Sequence, residues 1–252
     1  MTRLVVRPAR RVLGVVVALL GLPSLANAAE QHLTYDLAVD GAAVGTRDVT
    51  IKYYARPSGE RHLVESLTHI VAAGVTLDSR GSGLSTPSSA QFSSATDRNG
   101  VRAAVAAQEL PQGGWQVTVQ SGGKENDRNE ADVRISTLDL MDPARVGILD
   151  NPGTFGLVIA ETGDVVIGSL GAGEPASVKV AGKSVDVTRY TLTGTGAAAQ
   201  FLVSGDGVLV QSQVQWLGLT LVATLRDLPA ARDYGAVETI DGLGSGVKAG
   251  NL

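Results

Sequence analysis

From residue 32 onward, apolar and polar positions alternate in short runs. Leu33, Tyr35, Leu37 and Val39 interleave with Thr34, Asp36, Ala38 and Asp40, the period of two expected of a half-buried β-strand. Asp40-Gly41 follows, a pair suited to a type I′ hairpin because both positions need positive φ. The return run sets Val49, Ile51 and Tyr53 against Asp48, Thr50 and Lys52. Further turn pairs fall at Ser58-Gly59, Asn99-Gly100, Gly113-Gly114, Gly122-Gly123, Thr162-Gly163, Ala181-Gly182 and Asp206-Gly207. Strand-length segments punctuated this often predict an antiparallel meander. The expected fold class is all-β, a strongly curved antiparallel sheet or open barrel.

Two stretches depart from this pattern. Residues 122–136 form a charged insert, dense from Lys124 to Asp132, expected as a solvated loop or an extended hairpin tip. Asp142-Pro143 then combines an N-cap residue with a first-turn proline. It predicts at most one short helix near 142–149, stopped before Asn151-Pro152. Residues 103–108 are alanine-rich and suit helix as well as strand. The β pattern resumes from Phe155 and ends in Gly242-Leu243-Gly244-Ser245-Gly246, which predicts a flexible tail over 236–252. Val39-Asp40-Gly41 and Val180-Ala181-Gly182 read alike as strand, tight turn, strand, a weak internal repeat.

Residues 1–28 change the picture most. Arg3, Arg7, Arg10 and Arg11 make a basic head. Residues 12–22 are an apolar run short of the ~20 residues a membrane helix needs, and Ala26-Asn27-Ala28 is a small-x-small cleavage site. Together they predict a secretory signal peptide, leaving a single β domain over 29–235. The expected location is the periplasm or the extracellular space. Loss of the four arginines takes the formal net charge from −4 to −8. So acidic a chain is a poor partner for nucleic acid or anionic membrane surfaces. There is no cysteine, which removes thiol chemistry, disulfides and a lipidated N-terminus. No membrane span is expected after signal cleavage. An outer-membrane barrel would need aromatic girdles, and aromatic residues are only 4% of the chain.

Chemical motifs are sparse. The Gly-x-Ser-x-Gly elbow of α/β-hydrolases does not occur, and Ser121-Gly-Gly-Lys124 lies in a glycine turn with no helix to carry it. Of the three histidines, His62 and His69 are seven apart on one expected strand. They therefore point to opposite faces and cannot chelate together. His62, beside Arg61, is expected to face solvent, and His69 to be a hydrogen-bonded strand residue. Asp127-Arg-Asn129-Glu-Ala131-Asp132 has the opening of a calcium loop without its third ligand or its glycine. No catalytic residue, metal site or cofactor is assigned. Trp115 and Trp216 each fall in an expected strand. Parity puts Trp216 with Val208, Val210 and Val214, opposite Gln211, Gln213 and Gln215. Both tryptophans are either core residues or walls of a cavity for an apolar ligand.

The opening Tyr35-Asp-Leu-Ala-Val39-Asp-Gly41-Ala-Ala-Val44-Gly45-Thr46 resembles a family of secreted bacterial domains of unknown function. These start with a strand, a "dGxxiGt" turn and a long second strand. Val187-Thr-Arg189-Tyr190-Thr-Leu and Gly205-Asp206-Gly207-Val-Leu209-Val210 are similar to that family's closing "ryxl" strand and "dGxLv" hairpin. The resemblance implies a curved sheet distantly similar to the half-barrels of periplasmic lipoprotein carriers, and no catalytic residues. The expected function is therefore non-catalytic binding of an apolar or amphipathic ligand. The alternatives are a structural or interaction component of a bacterial envelope complex, with an envelope protein as partner, and an unrecognised hydrolase.

Overall fold

The opening alternation becomes a hairpin. β1 (Ala29–Val39) and β2 (Ala42–Tyr54) pair antiparallel. Between them φ is 49° at Asp40 and 82° at Gly41, the backbone of a type I′ turn. The computed structural model describes residues 29–54, 60–72, 74–86, 88–194, 197–216 and 219–229. The expected signal peptide, the Ser58-Gly59 turn and the expected tail lie outside the described residues.

The meander continues through β3 (Arg61–Ala72), β4 (Val75–Thr86), β5 (Ser89–Arg98), β6 (Val101–Glu109), β7 (Trp115–Ser121) and β8 (Lys124–Glu130). After β9 (Val133–Ser136) and β10 (Gly153–Val158) come β11 (Val165–Leu170), β12 (Glu174–Val180) and β13 (Lys183–Gly194). β14 (Ala197–Ser204), β15 (Leu209–Trp216) and β16 (Leu219–Leu225) complete a 16-stranded sheet. Its order is β8-β7-β6-β5-β4-β3-β2-β1-β16-β15-β14-β13-β11-β10-β9, with β12 hairpinned on β13. The first strand thus pairs the last, with Tyr35 opposite Leu225. The sheet curls into a nearly closed barrel with a seam between its two ends, β8 and β9. The expected all-β, strongly curved architecture is the observed one.

Local departures have local reasons. The alanine-rich run is strand β6, because it lies between β5 and β7 and is hydrogen-bonded to both; sheet context overrides weak helix propensity. The charged insert is not a solvated loop but edge strand β8 leading into β9. Its charges suit an edge, where exposed backbone groups would otherwise recruit other strands. The short helix after Asp142-Pro143 takes the form of a 3-10 turn, Val146–Asp150, preceded by another at Asp139–Met141. Gly147 and the stop at Pro152 leave too short a run to propagate an α-helix. β9 and β10 pair parallel, an arrangement the meander pattern does not predict. A register shift between Leu202 and Val203 brings Leu209 into the interior beside its neighbours, and beyond it the expected parity holds, with Ser212 and Val214 facing the interior and Gln215 exposed. Val208, Leu209 and Val210 are all buried.

Alternation through β3, β4 and β5 divides an inner from an outer face. The core lies inside the curl, around Leu33, Tyr35, Ile51, Phe155, Leu157 and Phe201.

The opening turn is open to test. Nothing lies within 4 Å of a Cβ added at Gly41, so the cost of Gly41→Val is purely conformational. It is expected to destabilise by about 1 kcal/mol or more. Thermal unfolding followed by circular dichroism measures this, and an unchanged melting temperature would contradict it.

Candidate functional site

Strand register arranges the inward side chains in rows. One row runs Tyr35, Arg47, Thr68, Ser79 and Thr96 across β1 to β5. A second, six positions away on β3, runs Tyr53, His62, Ser85, Ala90, Glu109 and Trp115. Between them β4 presents only Gly81 and Gly83, while β3 adds Val64 and Ser66 and β5 adds Phe92 and Ser94. Along β4 this inner wall is bare, so it leaves a hollow there.

Residues 137–164 fill the hollow. Leu138 packs onto the bare backbone of β4, where a Cβ at Gly81 would come within 3.1 Å of its Cδ1. Residues 155–160 are buried throughout, which places β10 and the start of its turn inside the curl. The turn after β10 is pinned by its carbonyls. Ser94 donates to Ala160, Arg128 donates to Gly163, and Thr96 Oγ1 lies 2.7 Å from the carbonyl of Glu161.

Charged side chains join wall to inner segment at both rows. Arg47 donates through Nη2 to the Glu161 carboxylate and through Nε to Thr68 Oγ1 at 3.0 Å. At the other row Asp142, fully buried, accepts from His62 Nδ1 at 2.8 Å, from Ser85 Oγ at 2.8 Å and from its own Ala144 N–H at 3.0 Å. Arg145 meets Glu109 at 3.0 Å. On the far wall the Tyr190 hydroxyl donates to Asp150.

His62 therefore faces inward, not solvent. It shares its face with Val64, Ser66, Thr68 and Ile70, and its charge is matched from the inner segment. His69, on the opposite face as the odd spacing requires, bonds Asp78 at 2.6 Å. His62, Ser85 and Asp142 have the composition of a hydrolytic triad but not its order. Ser85 donates to the aspartate, and His62 Nε2 lies 3.2 Å from Glu60, off the line a hydrogen bond needs. A nucleophilic serine must instead give its proton to the histidine.

A cleft remains between the inner segment and the β14–β16 wall. Its free space is small, about 50 Å³. Its walls are mainly apolar, with Arg47 and Glu161 as its charged members. A second concavity lies on the outer face, along the row His69, Asp78, Asp97 and Arg102. It is wider and carries more charge, with His69 paired to Asp78 and Arg102 to Asp97 beside Asp48 and Arg80.

Trp115 is fully buried and packs on Phe92, ring centroids 5.9 Å apart. It is not among the residues lining the cleft. Trp216 pairs Leu219 through its backbone, and its side chain lies outside the described residues. Sequence reading missed Arg47, Glu161 and Asp142 as a set. The signal available was the run of small residues on one parity of β4, Ser79-x-Gly81-x-Gly83-x-Ser85, which marks a face that receives something bulky.

No family model and no curated protein matches the chain. Among solved structures it is similar to the crystal structure of a beta-barrel-like protein of domain of unknown function DUF1849 from Brucella abortus. The identity is 12% over 80% of this chain and 97% of that one, with a TM-score of 0.47.

Two predictions concern this interior. Among the described residues the Trp115 indole N–H meets no hydrogen-bond partner, so its worth lies in packing. Trp115→Ala is expected to cost about 3–5 kcal/mol, and Trp115→Phe a small fraction of that, by denaturant unfolding. Equal losses would mean that the nitrogen matters.

The second concerns pH. Burial alone would lower the His62 pKa, but the hydrogen bond and charge of Asp142, joined by Glu60, outweigh it and hold the imidazole above its ordinary value. Burial pushes the Asp139 carboxyl up to about 6, against hydrogen bonds from Ser136 and the charge of Arg145. Both groups bind a proton more tightly folded than unfolded. Their stabilisation is therefore present on the acid side and lost with rising pH: Asp139's through about 6, His62's above the ordinary histidine range near ~6.5. The melting temperature should fall as pH rises from the ordinary carboxyl value near 3.8 through about 6, and again above ~6.5. Asp139→Asn should flatten the lower part of that fall and His62→Gln the upper part. A rise across this range would contradict both assignments.

Proposed function

We propose that this chain is an exported, non-catalytic binding protein whose ligand is an apolar or amphipathic small molecule held between the inner segment and the β14–β16 wall. The observation that carries this reading is the cleft itself, apolar along most of its lining and continuous with the barrel core. Small-molecule sites have this character, mostly apolar with a few placed polar groups. Export rests on the basic head, apolar run and Ala-x-Ala site of residues 1–28. The outer face of β3, β4 and β5 carries Glu65, Asp78, Arg80, Ser82, Gln91 and Asp97. That face suits water rather than the lipid-facing apolar band of an outer-membrane barrel.

A second reading, docking onto an envelope protein, is favoured by Leu67 and Val71. They project from the outer face of β3 on either side of His69 and are 50% and 53% exposed, and exposed apolar side chains of this kind mark docking surfaces.

The test uses protein expressed from the full-length gene and purified without detergent. N-terminal sequencing should begin at Ala29. Mass spectrometry of a solvent extract should recover an apolar compound in stoichiometric amount, and Ala223→Leu, which narrows the cleft, should reduce it. Recovery of nothing, together with no calorimetric binding of either dodecanol or dodecanoate, overturns the binding reading.

A further inference from the structure

Resting on that reading, we infer that the ligand is a single-chain amphiphile with a carboxylate head, and that its head takes the place of the Glu161 carboxylate on Arg47. Free space this small admits a slim unbranched alkyl chain only as the side chains around it give way, and gives least entry to fused rings or two chains abreast. The walls suit it: Leu77, Leu140, Met141, Phe201, Val214 and Leu221 face the space, with flexible Met141 able to adjust to a chain.

The head group follows from charge. Arg47 projects from β2 to the cleft, is 8% exposed, and is held on the wall side by Thr68 through Nε. A guanidinium stays charged at any working pH and presents a fork matched to two oxygens. Buried beside an apolar slot it requires an anion, and the chain supplies one of its own in Glu161.

Glu161 is built to yield that place. It sits on the turn between β10 and β11, and its side chain keeps a path to solvent, 12% exposed. The turn does not depend on the carboxylate, because the carbonyls of Ala160, Glu161 and Gly163 are held separately by Ser94, Thr96 and Arg128. The remaining side-chain partner of Glu161 is Thr137 at 3.4 Å. Its carboxylate can therefore rotate outward while the backbone stays. Exchanging one carboxylate for another keeps the slot neutral. A cationic head would place a second positive charge beside Arg47, and an uncharged head gives no reason for Glu161 to leave.

Calorimetric titration of the purified mature protein tests this with dodecanoate, dodecanol, dodecyltrimethylammonium and dodecyl phosphate, each below its micellar concentration. Dodecanoate should bind at least tenfold more tightly than dodecanol, and the cation should bind weakest. In Glu161→Gln, with the competing carboxylate gone, the ratio of dodecanoate to dodecanol affinity should rise at least a further tenfold. A merely structural role for Glu161 would leave that ratio unmoved. In the double variant Arg47→Gln/Glu161→Gln, which keeps hydrogen-bonding side chains at both positions, the preference should vanish; its melting transition reports whether the fold persists. Equal binding of dodecanol and dodecanoate overturns the head-group inference and leaves the apolar-ligand reading standing. Tighter binding of dodecyl phosphate overturns the choice of carboxylate. Failure of all four to bind removes the underlying reading as well.

Discussion

A sheet of sixteen strands rolled toward closure encloses more volume than its own inward side chains occupy, and a folded interior cannot leave that volume empty. This chain meets the constraint by turning residues 137–164 into its own barrel. The consequence runs through the whole inner surface. Where Leu138 and its neighbours lie, the wall has retreated to glycine and serine. Where the wall is polar, the inner segment brings matching groups, because an unpartnered buried polar atom costs roughly 1–3 kcal/mol. The charged pairs do not add much net stability, since desolvation cancels most of their attraction. They fix position instead. Arg47 with Glu161 at one row, and His62 with Asp142 and Arg145 with Glu109 at the other, leave one seating in which every buried charge has a partner.

The same economy shapes the cleft. A wide barrel with an empty lumen would make a roomy chamber; one filled by its own chain leaves a narrow space beside the inner segment, bounded by β14–β16 and by Arg47, Ile70 and Leu77 of β2–β4. Its polar boundary is then set by residues that also hold the segment in place. Arg47 belongs at once to the packing of the interior and to the character of the space beside it, so selection on either is selection on both.

What the sequence made legible was local. Period-two runs and turn pairs located most strands, and the φ values at Asp40-Gly41 and Asn99-Gly100 are those their residues favour, while Ala181 takes 47° ahead of Gly182 against alanine's own preference. What it hid was long-range. His62 was read from its neighbour Arg61, while its position is set by Asp142, eighty residues on. Asp142 itself was read as a helix cap, and it does accept the Ala144 N–H, yet its other oxygen bonds belong to the wall. The four residues of β9 carry too short a pattern to be seen beside the charges that precede them. The register shift at Leu202 and Val203 buries Leu209 out of turn, which strict alternation does not foresee. The small parity of β4 was visible throughout, and its meaning lay in what it lacked.

The strand order has a consequence of its own. Apart from β12, it is the order of an unbroken meander that begins at β9, ends at β8, and has been cut between β16 and β1. The barrel is thus closed by two unlike joints. Across the seam, where β8 and β9 are not hydrogen-bonded to each other, the joint is covalent, the two-residue link Ala131-Asp132. Between β1 and β16 it is noncovalent, a strand ladder from Tyr35 with Leu225 to Val39 with Leu221 continued by the Arg226–Asp36 ion pair. Parting that ladder would leave two leaves of sheet still bound at a short spine, with the inner segment attached at the spine and uncovered between them.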